Sequence, residues 1–83
     1  MTKFKIHLNH GQRKKLNLFR FAVDIIPKTD LMIVYGQNYT CSFQDGGIRR
    51  LIIKNEENRH VFSCDWDMVK CMYMNDTLLQ GDE

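Results

Sequence analysis

The stretch KFKIHL, residues 3–8, alternates strictly between basic or polar residues and apolar ones. Successive side chains of a β-strand point to opposite faces, so one face of this stretch collects all of its apolar side chains. That apolar set consists of Phe4, Ile6 and Leu8. The pattern predicts a half-buried strand at the start of the chain, and it indicates a β fold whose core lies against one face of this strand.

Hairpin turns are the next signals along the chain. Residues 45–47, Asp-Gly-Gly, are the clearest of them, because glycine reaches the positive φ values that tight turns require. This turn predicts that residues 39–43 pair with residues 48–54. The polar stretch 55–58 predicts a second turn, which leads into a further antiparallel strand over residues 60–64.

Two more apolar runs add to the predicted sheet. Residues 16–26 alternate as an extended segment, and residues 31–35 form a short, almost wholly apolar run that is typical of a central strand. With these runs the sequence predicts a mainly β, single-domain protein. We expect a small antiparallel sheet or barrel of about five or six short strands.

Residues 63–75 fit two interpretations. In a helix, Trp66, Val69 and Tyr73 fall on one face, and the segment packs on the sheet. In a strand, the same residues extend the segment 60–64. We favour the first interpretation, which adds a short C-terminal helix to the β domain.

The length of 83 residues is enough for one domain. We place this compact domain at residues 1–76 and predict that residues 77–83 are a frayed, acidic C-terminal tail. A domain of this size buries only about 60–65% of the surface that its unfolded chain exposes. Its sheet edges are therefore hard to cover within one chain, and we expect a homodimer.

Hydropathy and cysteine usage predict the location of the protein. No apolar run approaches the roughly 20 residues of a membrane helix, and the first residues lack an apolar signal core. The cysteines number three, an odd count without a close pair, which is typical of free thiols in a reducing compartment. We therefore expect a cytoplasmic protein with no membrane partner.

A metal site is the sharpest alternative use of these thiols. His7 and His10 are three residues apart, and Cys64 and Cys71 could complete a set of four ligands. Zinc sites, however, space their cysteines and histidines in tight pairs that neither of these pairs matches. We therefore expect neither a metal nor another cofactor, with the thiols buried and the histidines solvated.

The charges of the chain are unevenly distributed. Residues 3–21 hold six of the twelve Lys and Arg residues and no acid, whereas residues 60–83 hold one Lys against five acids. Outward side chains two residues apart on a strand stand about 6.6 Å from one another, so the basic ones form a row that the next loop extends. The predicted partner-binding residues are Lys3, Lys5, His7, Arg13, Lys14, Lys15 and Arg20.

A basic row of this kind suits either an acidic protein surface or the phosphates of a nucleic acid. The net charge of +2 is small for a nucleic-acid-binding protein, and the chain has no recognised RNA-binding motif. We therefore expect a protein partner, with RNA or single-stranded nucleic acid as the alternative. A small ribonuclease ranks third, since His60 beside Arg59 has no spacing signature of a catalytic site, and no enzyme is expected.

A second candidate interface lies near the end of the chain, where methionines and aromatics cluster and offer adaptable apolar contacts. Its members are Trp66, Met68, Met72 and Tyr73. The small size, the Asn and Lys usage and the lack of catalytic motifs suit an accessory protein of the phage type, one that inhibits a host or defence protein. The sequence thus predicts a small, non-enzymatic interaction protein.

Overall fold

A computed structural model of the chain describes residues 2–16, 22–43 and 46–81. The described part is mainly β, and its strands are antiparallel, which confirms the predicted fold class. Within the described residues the strands number eight rather than five or six. They are β1 (Thr2–Leu8), β2 (Val23–Ile25), β3 (Leu31–Gly36), β4 (Asn38–Phe43), β5 (Arg49–Lys54), β6 (His60–Asp65), β7 (Val69–Met74) and β8 (Thr77–Gly81), with 3₁₀ turns η1 (Gln12–Lys15) and η2 (Trp66–Met68).

The strands form two sheets. One has five strands in the order β2-β3-β1-β7-β8, and the other has three in the order β4-β5-β6. The chain passes between the sheets at two corners. At the first, Gln37 alone separates β3 from β4, and at the second, η2 separates β6 from β7. Such corners are the usual way for strands to switch between packed sheets.

The strand predicted at the start of the chain is the centre of the larger sheet. β1 pairs with β3 on one side and with β7 on the other. Its side chains alternate as predicted, with Phe4, Ile6 and Leu8 buried. They join a core to which both sheets contribute, including Leu51 and Ile53 from β5.

The first corner is closed by backbone contact. A Cβ on Gly36 would lie 2.5 Å from Cγ2 of Ile53 and 3.0 Å from the carbonyl oxygen of Lys54. The next residue, Gln37, donates its backbone N–H to that same oxygen at 2.7 Å. A glycine is needed here because the two sheets meet at a separation that leaves no room for a side chain.

The second corner is held by one residue from the end of β1. Asn9 donates its backbone N–H to the carbonyl oxygen of Met68 at 2.8 Å. The side-chain amide of Asn9 donates to the carbonyl oxygen of Asp67, also at 2.8 Å. These bonds satisfy two carbonyl groups of η2 and fix the point at which the chain enters β7.

Both predicted hairpins are confirmed. β4 pairs with β5, and β5 pairs with β6. The first turn contains Gly46 and Gly47 with φ values of 91° and 77°, as the hairpin signal requires, while Asp45 lies outside the described residues. In the second turn, Asn58 donates its backbone N–H to the carbonyl oxygen of Asn55 at 3.0 Å.

The helix that the sequence favoured for residues 63–75 is wrong. This segment consists of the end of β6, the short turn η2 and the whole of β7. Cys64 pairs with Leu51 of β5, and Tyr73 pairs with Lys5 of β1. A helix would leave one edge of β1 without this partner, so strand pairing outweighs the weak local preference for a helix.

The frayed tail predicted for residues 77–83 is also corrected over Thr77–Gly81, which forms β8 and pairs with β7. The connection is a two-residue turn in which Asn75 and Asp76 both have positive φ, 47° and 71°. That combination defines the tight hairpin turn whose twist matches antiparallel strands. Leu79 packs on the core and helps to hold the strand.

Two further predictions concern the extended run at residues 16–26 and the lack of a membrane helix. Of the extended run predicted for residues 16–26, Val23–Ile25 is a strand, and residues 17–21 lie outside the described part. Within the described ranges, no helix has the length and apolar character needed to cross a membrane.

Candidate functional site

The outer surface of the larger sheet carries the first part of the predicted basic row. Lys3, Lys5 and His7 project from β1 on the side away from the core. Strand pairing places Tyr35 of β3 beside Lys3, and Tyr73 of β7 beside Lys5. We call this surface the basic face, and it comprises the outward residues of β1 with their neighbours on β3 and β7.

Both tyrosine rings of the basic face have partners. The Nζ atom of Lys5 lies 5.5 Å from the ring centroid of Tyr73. The hydroxyl of Tyr35 donates a hydrogen bond of 2.9 Å to Oδ2 of Asp24. This bond to a carboxylate raises the pKa of Tyr35, since the negative charge of Asp24 favours the protonated phenol.

Apolar side chains lie among these charged ones. Ile33 pairs with Lys5 across the β1–β3 ladder, and Leu31 pairs with His7, so both lie on the outer side of the sheet. Each is half-buried. On the far edge, Leu78 of β8 is exposed. The basic face is therefore a mixed surface, in which basic side chains of β1 lie beside apolar side chains of β3.

The second part of the row lies beyond the end of β1. Lys14 and Lys15 are exposed in η1. Arg13 is half-buried, and its Nη1 donates to the carbonyl oxygen of Ile26 at 3.2 Å, which ties η1 to the end of β2. Arg20 lies outside the described residues. The loop thus adds two free lysines to the row and uses its arginine partly for structure.

No residue of the predicted basic row forms an ion pair in the described part of the chain. Three ion pairs occur there, and they are His10–Asp30 at 3.5 Å, Arg50–Asp65 at 2.7 Å and Arg59–Glu57 at 3.6 Å. The nearest acid on the basic face is Asp24, which accepts the hydrogen bond of Tyr35. The four lysines of the row therefore have no acid at ion-pair distance among the described residues.

A second site lies between the two sheets. It is an open pocket of about 400 Å³ at the place where β4, an edge strand of the smaller sheet, approaches β7 and β8 of the larger one. The residues that line it are Tyr39, Thr40, Cys41, Arg49, Trp66, Met72 and Leu79. We call it the edge pocket.

Arg49 is the cation of the edge pocket. Its guanidinium carbon lies 5.7 Å from the ring of Phe43 and 5.9 Å from the ring of Trp66. Its Nη2 donates a long hydrogen bond of 3.4 Å to the carbonyl oxygen of Cys41. Phe43 is 70% exposed, so much of this aromatic and cationic cluster is open to solvent.

The predicted second interface is divided by the fold. Met72 is fully buried and is a core residue, which corrects its assignment to a surface. Tyr73 follows it on β7 and belongs to the basic face, because successive strand residues face opposite sides. Trp66 and Met68 are half-buried in η2, and Trp66 lines the edge pocket.

The sequence reasoning missed the edge pocket. Arg49 and Phe43 come together because they are direct partners across the β4–β5 hairpin. The predicted Asp-Gly-Gly turn implies this pairing, so the sequence did contain the information that places Arg49 beside Phe43. The approach of Leu79 had no such signal, since the sequence interpretation gave no strand to residues 77–81.

The titratable groups were the basis of the metal and ribonuclease alternatives. No three His, Cys, Asp or Glu side chains converge there as metal ligands would. Burial, with a smaller contribution from Asp65, raises the pKa of Cys64 to about 12 and keeps this thiol protonated. His60 is exposed, and Cys41 is half-exposed in the edge pocket.

Comparison of the chain with models of protein families, with characterised protein sequences and with solved structures gives no match.

Proposed function

We propose that this protein is a small, non-enzymatic binding protein whose basic face contacts an acidic protein surface. The observation that carries the proposal is the set of lysines without an acidic partner beside half-buried apolar groups. Lys5 pairs directly with Ile33 across the β1–β3 ladder, and Lys3 lies diagonally opposite it, beside Tyr35. Interfaces between proteins commonly combine an apolar centre with a charged rim that steers association.

The state of the two tyrosines favours a protein over a nucleic acid. Bases of single-stranded nucleic acids stack on open aromatic faces. Here Lys5 lies over the ring of Tyr73, and Tyr35 is held by its hydrogen bond to Asp24. A base would have to displace Lys5 from the ring, and it would meet the negative charge of Asp24 beside the other one.

Charge reversal on the basic face tests the proposal. We expect the double variant Lys3→Glu/Lys5→Glu to lose a partner that the wild-type chain retains from a lysate treated with nuclease. The matched control is Lys54→Glu/Arg59→Glu, which makes the same change of charge on the smaller sheet and its turn. Retention of the same partner by both double variants would contradict the proposal.

The alternative partner is identified by the same samples. If the partner is a nucleic acid, the captured material disappears after nuclease treatment. Binding to an oligothymidylate probe then weakens steeply with salt. The logarithm of the affinity falls with the logarithm of the salt concentration, by about 0.7 for each phosphate neutralised on a single strand. An acidic protein gives a shallower salt dependence that is mainly confined to the association rate.

Inhibition is the mode of action that we propose for such a protein. A chain of 83 residues that carries binding surfaces acts by occupying the surface of its partner, as a phage-type inhibitor of a host or defence protein does. We place it in the cytoplasm, where its thiols stay reduced. The test is the activity of the captured partner, measured with and without the wild-type chain and the Lys3→Glu/Lys5→Glu variant.

We also propose that the protein is a homodimer, because β2, β4, β6 and β8 are edge strands of the described sheets. Unpaired strand edges favour association with a second copy. Light scattering tests this point at about 100 μM, a concentration that exceeds the dissociation constants of weak dimers. A measured mass of one chain at that concentration contradicts the proposed dimer, but it does not bear on the proposal for the basic face.

A further inference from the structure

The edge pocket combines features that no part of the basic face has. Its lining is mixed, with polar groups from Tyr39, Thr40 and Arg49 and with apolar contacts from the partly exposed side chains of Trp66 and Leu79. Its volume of about 400 Å³ lies within the range of sites that bind specific ligands. The pocket therefore has room for at least one large apolar side chain.

Arg49 gives this pocket a preference for charge. The rings of Phe43 and Trp66 both lie within 6 Å of its guanidinium, and such stacking holds the long side chain in place. No carboxylate within the described ranges lies at ion-pair distance from it. A guanidinium held in this way pairs best with a carboxylate, through parallel hydrogen bonds.

The border of the pocket supplies a third feature. Thr40 and Cys41 line the pocket from β4, which is an edge strand of the smaller sheet. An edge strand presents backbone N–H and C=O groups to a segment that extends the sheet. Side chains of such a segment alternate in direction, so every second one points toward the pocket.

We propose that the edge pocket binds an extended peptide segment of a partner protein, one that carries a carboxylate close to a large apolar side chain. The segment adds to β4, which is an edge strand of the described smaller sheet, and its apolar side chain enters the space between Trp66 and Leu79. The carboxylate pairs with Arg49. Charge complementarity favours this occupant, because Arg49 has no acid at ion-pair distance among the described residues and lines the pocket together with Trp66 and Leu79. This site is separate from the basic face.

Selection from a library of random heptapeptides tests this proposal without a known partner. Wild-type protein is immobilised, and peptides are selected by binding. A parallel selection uses Arg49→Gln. We expect the wild-type selection to enrich peptides with Asp or Glu within two positions of Phe, Trp, Leu or Ile, and the variant selection to lose the acidic residue.

The chain supplies two reporters for the binding of an enriched peptide. Trp66 is its single tryptophan, and it lines the pocket, so its fluorescence should change on binding. Cys41 is half-exposed there, whereas Cys64 and Cys71 are buried, so alkylation by iodoacetamide should report on Cys41. We expect saturating peptide to slow the alkylation of Cys41 at least tenfold.

Arg50→Gln is the matched control for Arg49→Gln. Both changes remove one positive charge from adjacent residues of β5, but Arg50 lies on the opposite side of the sheet, paired with Asp65. We expect Arg49→Gln to weaken the acidic peptide at least tenfold and to leave its amide analogue, with Asn or Gln in place of the acid, unchanged. Arg50→Gln should change neither titration. Circular dichroism checks that each variant is folded.

Several outcomes overturn the proposal. One is a selection that enriches no acidic peptide, and another is an equal effect of the two arginine variants. A third is equal protection of Cys41 by indole-3-acetate, which would make the pocket a small-molecule site. A fourth is protection that grows with protein concentration alone, which would make a second copy the occupant. The Lys3→Glu/Lys5→Glu variant should leave both reporters unchanged, so the two proposals fail independently.

Discussion

The two corners at which the chain changes sheets differ in what they leave between the layers. At the first corner, Gly36 brings β3 so close to β5 that even a methyl group would overlap Ile53. At the second corner, the chain turns through η2 and places Trp66 at the wall of an open pocket of about 400 Å³. Both corners join the same pair of sheets.

The difference follows from the side chains at the turning point. A glycine allows backbone contact, and the hydrogen bond from Gln37 to Lys54 then seals the first corner. At the second corner the half-buried ring of Trp66 lines the edge pocket instead. The sealed corner should therefore govern stability, and the open corner should govern recognition. Substitutions at the two corners should separate these two roles.

The largest effect is expected at the sealed corner, from Phe4→Ala. Phe4 is fully buried, and its ring meets that of Tyr39 edge-on at a centroid distance of 5.8 Å. Removal of a buried ring of this kind costs about 3–5 kcal/mol, because it loses apolar contacts and leaves a cavity. Urea unfolding should show this loss, or no folded protein at all. Lys3→Ala, next to it on the solvent side, should stay within about 0.5 kcal/mol of wild type.

Gly36→Ala should have the next largest effect. The added methyl would meet Cγ2 of Ile53 at 2.5 Å, and such overpacking costs about 1–3 kcal/mol. Ile53→Leu keeps the volume but removes the γ2 methyl, so the penalty of Gly36→Ala should be smaller in that background. A double-mutant cycle by urea unfolding measures the coupling. Strictly additive effects would show that Ile53 does not close this corner.

The pH dependence of stability should report on the buried thiol of Cys64. Burial raises the pKa of Cys64 to about 12 in the folded chain, above its value in the unfolded chain. The folded state therefore holds this proton more tightly, so the stability it contributes is complete below about pH 8.5 and declines as pH rises toward 12. The slope from this one proton reaches about 1.4 kcal/mol per pH unit.

Cys64→Ala provides the comparison for this slope. Urea unfolding between about pH 8 and pH 11 should give a flatter curve for Cys64→Ala than for wild type. All other titratable groups are common to the two proteins, so the difference between the curves reports on Cys64. Parallel curves for wild type and Cys64→Ala would rule out this origin of the pH dependence.

The smallest effects on stability are expected at the neighbours Arg49 and Arg50. Arg50 pairs with Asp65 at 2.7 Å and donates to Ser63 at 3.1 Å on a partly exposed surface, so Arg50→Gln should cost about 0.5–1 kcal/mol, and less in high salt. Arg49→Gln should change stability by less than about 0.5 kcal/mol. Urea unfolding at low and high salt measures both. A large stability loss in Arg49→Gln would give the open corner a structural role.

Local patterns predicted much of the fold. The alternation in residues 3–8 gave the inward and outward sides of β1, and the Asp-Gly-Gly turn gave the β4–β5 pairing. The outward position of Lys3, Lys5 and His7 followed from the same alternation. These features depend on neighbours in the chain, so a period of two and a tight turn are sufficient to predict them.

Other features depend on distant residues and escaped the sequence. The apolar residues within 63–75 have a helical spacing. Pairing with β5 and β1 nevertheless makes most of this segment strand, on either side of η2. Asn75 and Asp76 form a tight turn without a glycine, so β8 gave no clear signal. The weak local preference was outweighed by hydrogen bonds that only the assembled sheet provides.

The sequence by itself determined a small, mainly β chain with a basic start, because side-chain alternation, turn residues and charge are local properties. Only the tertiary structure decided that Gly36 seals one corner, that Met72 and Tyr73 face opposite sides, and that Arg49 and Trp66 line one pocket. The edge pocket is formed by β4, β5, η2, β7 and β8. Its geometry depends on how two sheets pack, and no single segment contains that information.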